Sequence, residues 1–130
     1  MTRAECAALL VQLLGDEKRA IANDSPRVFY DVGPTHWAYP YARYCAPYIM
    51  ATEGNLFYPD QGLTGAEFLE ALLRAFYIDN TTLENAYEQA LLCKIIAPDN
   101  VAKLQASSGI TRGQAVAIIY PLAHLPREEN

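Results

Sequence analysis

Two arginines stand immediately after threonines that read as helix caps: Arg3 in Thr2-Arg3-Ala4-Glu5 and Arg112 in Thr111-Arg112-Gly113-Gln114. An arginine at the first helical position sets a planar fork of donors beside a helix end whose amides carry the positive pole of the macrodipole. That combination suits a carboxylate. The dipole itself does not favour a cation there, which points these side chains towards a role outside the helix. Covalent chemistry finds less support. Cys45 and His36 fall nine residues apart on one expected helix, at different heights, and do not form a nucleophile and its base. The chain shows no paired-carboxylate motif, phosphate loop or calcium loop. It reads as non-catalytic and without a cofactor, and neither His36 nor His124 is expected to bind a metal.

The arginines are positioned by a pattern that occurs three times. Thr2, Thr64 and Thr111 are each followed three residues later by Glu5, Glu67 or Gln114 and then by an apolar run, the signature of a capping box. Leu63 with Phe68, and more weakly Ile110 with Ala115, add the residues of a hydrophobic staple. Three boxes of one design suggest an internal repeat, and their unequal spacing favours a few degenerate modules over a strict solenoid.

With 130 residues, 52% of them hydrophobic and 19% charged, the chain suits one globular domain. A net charge of −5 gives no basic field for nucleic acid. No apolar run approaches the roughly 18 residues of a membrane span, so membrane insertion is not expected, and no secretory signal is present in this chain. Cys6, Cys45 and Cys93 lack metal-type spacing and read as buried thiols, with one disulfide and a leftover thiol as the alternative.

In chain order, Cys6, Leu9, Leu10, Leu13 and Leu14 form one helical stripe, with Gly15 as a stop and 16–28 as a linker. Residues 29–32 read as a short extended stretch. Thr35 is expected to cap a helix through Trp37 to about Thr52, kinked at Pro47, in which Tyr41, Tyr44 and Tyr48 share a face. Residues 56–62 make a compact turn into the Thr64 cap, and Phe68, Leu69, Leu72, Leu73 and Phe76 line the next helix. A second extended segment at 77–80 leads to a helix capped by Thr81 or Thr82 and running to about Ile96, ended by Pro98-Asp99-Asn100. Residues 101–109 read as a polar loop. The last helix runs from Arg112 to about Tyr120, is cut at Pro121, and is followed by a frayed end.

The middle of the chain, Phe29-x-Asp31, His36-Trp37-Ala38, Leu56-Phe57-Tyr58-Pro59-Asp60 and Leu63-Thr64-Gly65-Ala66-Glu67, resembles an S-layer homology module. Thr2-Arg3-Ala4-Glu5 and Ile110-Thr111-Arg112-Gly113-Gln114 are similar to the helix starts of two more. The resemblance implies an all-α domain of three modules: a partial one at 1–28 with its linker, a second at 29–76 and a third at 77–126. Three capped helices would form a central bundle from which outer helices project. It implies an extracellular module that anchors a larger protein to a Gram-positive-type cell wall by binding an anionic, pyruvylated polysaccharide in grooves between modules. On that reading Arg3 and Arg112 meet the anionic group, Trp37 or Tyr58 stacks on a sugar ring, and Asp31 or Asp60 accepts from hydroxyls. Trp37 equally fits an apolar anchor of the outer helix, Asp60 a turn residue and Asp31 an Asx cap. Gly65 stands where the family has an arginine, which would weaken or silence that groove, and the incomplete first module leaves a flank open to self-association. These departures carry the alternative, a degenerate module that makes protein contacts without binding glycan. A cytosolic helical protein is a third reading, favoured by the three cysteines.

Overall fold

The computed structural model describes residues 1–14, 29–45, 54–76, 78, 80–106 and 108–124. The linker at 16–28, the stop at Gly15, the kink at Pro47, the position of Tyr48, residues 77 and 79 of the 77–80 segment and the frayed end lie outside them. Among the described residues the protein is all-α, with six α-helices and no strand: α1 (Arg3–Leu14), α2 (Tyr39–Cys45), α3 (Gly65–Ala75), α4 (Ala86–Leu92), α5 (Pro98–Ala106) and α6 (Arg112–Ile119), the last continued by a 3₁₀ turn over Tyr120–His124. The chain divides into two compact units, Thr2–Gln61 and Gly62–Asn130, with Met1 belonging to the second.

All three capping boxes form. The backbone N–H of Thr2 donates to Glu5 Oε1 at 2.9 Å and that of Glu5 to Thr2 Oγ1 at 3.1 Å. Thr64 and Glu67 repeat the exchange at 2.9 and 3.1 Å, and Thr111 and Gln114 at 2.9 and 3.0 Å. Each box satisfies two donors that the helix end would otherwise leave open, and losing such a cap typically costs ~1 kcal/mol.

The residues just before the three threonines bond to one another. Met1 N donates to Ile110 O at 2.7 Å, Ile110 N to Leu63 O at 2.9 Å, and Leu63 N to Met1 O at 3.0 Å. The result is a closed ring of three backbone hydrogen bonds, and Leu63 and Ile110 are both buried beneath it. Gly109 makes the close approach possible, because a β-carbon there would sit 3.2 Å from Leu63 O.

In the unit of residues 2–61, α1 packs against α2. Its buried face is Ala4, Cys6, Ala7, Leu10 and Val11, whereas Leu9 and Leu13 are half-exposed. The stripe is therefore rotated from the expected one, with two small alanines in the place of two leucines. Residues 29–32 form a turn and not an extended stretch. Val32 N closes on Phe29 O at 3.4 Å, which sends Phe29 and Val32 inward. The helix expected from Thr35 begins at Tyr39. His36 Nδ1 accepts from Ala38 N at 3.0 Å and His36 O from Tyr39 N at 3.0 Å, so a turn occupies 33–38. Pro40 then falls in the first turn of α2, where its missing N–H is not needed.

In the other unit α3 is the core helix. Seven of its eleven residues are buried, too many for a single face, and α4 and α5 pack on it. The expected stripe holds at Phe68, Leu69, Leu72 and Leu73, with Phe76 half-buried at the C-cap. Burying side chains of this kind contributes about 1.5–3 kcal/mol each. Thr81 does not cap α4: it is buried, and its carbonyl accepts from Arg74 Nη2 at 3.1 Å. Thr82 and Asn85 instead exchange backbone-to-side-chain bonds, and a turn over 83–85 delays the helix to Ala86.

Helix α4 stops at Leu92, short of the expected Ile96. Lys94 N bonds Leu91 O at 3.1 Å and Ile95 N bonds Ala90 O at 2.9 Å, a Schellman motif whose left-handed residue is Lys94, with φ of +59°. Glycine ordinarily fills that position, and a left-handed L-residue costs roughly 1 kcal/mol. Lys94→Gly is expected to raise stability by about 0.5–1 kcal/mol, read as an upward shift of the denaturation midpoint. The exposed Cys93 beside it departs from the expectation of a buried thiol, because it sits at the C-cap and not on an inward face. Residues 98–106, expected as a helix stop and a loop, are helix α5. Pro98 is its first residue, Asp99 lies in its first turn and Leu104 is its buried contact.

Candidate functional site

The 57–61 turn organises one half of the candidate residues. Gln61 N bonds Tyr58 O at 3.1 Å, and the turn is gripped from two sides. Asp31 Oδ1 accepts from Phe57 N at 3.0 Å and Asp31 Oδ2 from Tyr58 N at 2.8 Å, so each carboxylate oxygen already holds an amide. Beneath them the Phe29 and Phe57 rings, both buried, pack 5.5 Å apart. From the other side, Arg3 Nε donates to Phe57 O at 2.8 Å, and its guanidinium lies 4.8 Å from the centre of the Phe57 ring.

The first turn of α1 is consequently spent. Arg3 N donates to Gln61 O at 2.9 Å, Ala4 N to Pro59 O at 3.0 Å, Glu5 N to Thr2 Oγ1, and Cys6 N to Thr2 O at 2.9 Å. The unpaired amides expected there for a carboxylate are absent, since the neighbouring turn supplies their acceptors. Arg3 and Asp31 hold this turn in shape. Tyr58 adopts a left-handed φ of +59° and is 47% exposed, and Asp60 beside it is exposed. A left-handed tyrosine is uncommon and strained, and here the bonds to Asp31 over-determine it.

Trp37 is 57% exposed, where an apolar anchor would be buried. His36 stacks beside it with ring centroids 6.0 Å apart and an interplanar angle of 27°, and Tyr41 tilts against it at 6.4 Å. The turn that delays α2 thus creates an aromatic patch of His36, Trp37 and Tyr41. Such a patch offers apolar area with polar edges.

Arg112 belongs to the other unit, exposed at the first position of α6. The five remaining candidates, Arg3, Asp31, Trp37, Tyr58 and Asp60, all lie in residues 2–61. On the Arg112 side there is a cleft of about 190 Å³, with Ile95, Ile96 and Ile118 among its apolar walls and Asn100, Lys103 and Gln114 supplying polar groups. Lys103 and Asn100 are residues that sequence reasoning missed, because Pro98-Asp99-Asn100 read as a helix stop and 101–109 as a loop. The signal was present in Pro98-Asp99 as a helix start and in Val101 and Leu104 at helical spacing.

At Gly65, where the pattern of the other two helix starts has arginine, the space is occupied. A β-carbon at this position would lie 2.5 Å from the Tyr87 hydroxyl and 3.2 Å from Leu104 Cβ. Burial pushes the Tyr87 hydroxyl up from its ordinary value.

Among the described residues no group of three or more His, Cys, Asp or Glu side chains gathers to hold a metal ion, and no helix is long and apolar enough to cross a membrane. No family model, curated protein or solved structure matches the chain.

Proposed function

We propose that this protein is a non-catalytic surface-anchoring module of the S-layer homology kind, which holds a larger protein to an anionic cell-wall polysaccharide. The observation that carries this reading is the closed ring through Met1, Leu63 and Ile110, each directly before a capping threonine. Three residues in equivalent positions before capping threonines, bonded to one another, are what three diverged repeats of a single module would build. The first repeat supplies a capped helix, and the second and third add their outer elements.

Glycan contact falls to two places on this reading. The cleft beside α6 offers Lys103 and the amides of Asn100 and Gln114 over an apolar floor, and Arg112 stands exposed on the same helix as Gln114. A carboxylate carried on a sugar with an apolar branch, such as a pyruvyl ketal, matches that mixture. The exposed Trp37 supplies a stacking face for an uncharged ring. Arg3 and Asp31 contribute indirectly, by holding Tyr58 outward.

The second reading, a degenerate module serving protein contacts, is favoured by one observation: Tyr87 fills the space where the middle repeat would place its arginine. Cosedimentation with wall from the source organism separates the two. Wild type is expected to pellet with intact wall and to stay in solution once the polysaccharide is chemically removed. Lys103→Ala/Arg112→Ala is expected to weaken pelleting roughly tenfold or more, since two charge-assisted contacts are lost, and Trp37→Ala to weaken it separately. A folded wild-type protein that ignores the wall while forming a defined oligomer would instead establish the protein-contact reading.

A further inference from the structure

Cys6 and Cys45 lie in the unit of residues 2–61, one on α1 and the other at the last position of α2, and both are wholly buried. Cys45 Sγ–H donates to Ala7 O at 3.8 Å, so its sulfur rests on the backbone of the residue next to Cys6. The two helices pack directly on each other. Burial, reinforced by Cys45, pushes the Cys6 thiol far above its ordinary range. Such a thiol is inert while the fold stays closed, because the thiolate is the reactive form. Cys93, by contrast, is exposed and belongs to the other unit.

We infer that Cys6 and Cys45 are a dormant disulfide pair, a modification site at which oxidation during folding or transient opening ties α1 to α2. The co-reactant is a low-molecular-weight disulfide. One cysteine thiolate attacks it, forms a mixed disulfide and expels one small thiolate, which takes up the proton that the cysteine released. The second cysteine thiolate attacks the protein sulfur of the mixed disulfide, expelling the second small thiolate with the second proton. Two protein thiols and one small disulfide become one protein disulfide and two small thiols. The bond would close a loop containing the whole 16–28 stretch, and it would constrain the unfolded chain more than the folded one.

The test uses the full chain with the exposed thiol removed, Cys93→Ser. The protein is refolded from denaturant in a mixture of oxidised and reduced glutathione, and a second sample is kept reduced. The expected result is a mass lower by about 2 Da with no thiol titratable in denaturant, a Cys6–Cys45 cross-linked peptide, an unchanged helical spectrum, and a thermal midpoint about 10 °C above the reduced sample. Added to the folded, reduced protein, the same glutathione mixture is expected to react far more slowly. Two thiols still titratable after refolding would overturn the inference. So would a cross-linked chain that has lost its helical spectrum or melts below the reduced one.

Discussion

Asp31→Ala is expected to lower stability by about 2–4 kcal/mol, because two hydrogen bonds to a carboxylate are lost together. The partners make the loss costly. Phe57 N and Tyr58 N are the amides of a turn that carries a left-handed tyrosine, and nothing else in the described contacts holds those two donors. Phe57 is fully buried, so its amide would be left in poor contact with water. Asp31→Asn keeps one carbonyl acceptor and is expected to cost about half as much. Urea denaturation followed by circular dichroism checks this: the midpoint should fall for both variants, more for alanine, with the slope unchanged. A loss below about 0.5 kcal/mol for Asp31→Ala would mean that burial of Phe29 and Phe57 holds the turn without the carboxylate. On the anchoring reading proposed above, the same variant should reduce pelleting with wall only as far as it releases Tyr58.

The second large effect is at Gly65. Gly65→Arg, which would restore the residue found at the other two helix starts, is expected to cost about 3 kcal/mol, and Gly65→Ala about 1–2 kcal/mol, by overpacking. Tyr87 and Leu104 occupy the space that either side chain needs. Removing the phenolic oxygen leaves Tyr87 Cζ 3.5 Å from the new β-carbon, an ordinary contact. Gly65→Ala combined with Tyr87→Phe is therefore expected to be more stable than the sum of the single changes predicts, by roughly 0.5–1 kcal/mol. Strict additivity would show that the strain comes from Leu104 or from the backbone. The group that a β-carbon would meet here is the phenol of Tyr87, whose pKa burial moves up from its ordinary value.

What could be read from the chain, and what could not, follows the range of the interactions. The three capping boxes were legible because each depends on two side chains three residues apart and on no distant partner. The stripe of α3 was legible for the same reason. Helix α5 was missed because Pro98-Asp99-Asn100 carries opposite meanings: proline ends a preceding helix and also suits the first position of a new one. Helix α2 began late because a histidine ring nitrogen took the role usually played by Asn or Asp, bonding an amide two residues on. Tyr87 over Gly65 and the carbonyls of Pro59 and Gln61 on α1 join residues far apart in sequence, and no spacing announces them. The candidate site fared likewise. Residue types pointed to Arg3 and Asp31, yet their spent donors and acceptors appear only once the 57–61 turn is folded against them.

The ring through Met1, Leu63 and Ile110 joins three carbonyls to two amides, those of Leu63 and Ile110, and to the ammonium of Met1. No side chain takes part in these bonds, so the same donors and acceptors meet whatever residue type, proline apart, stands at positions 63 and 110.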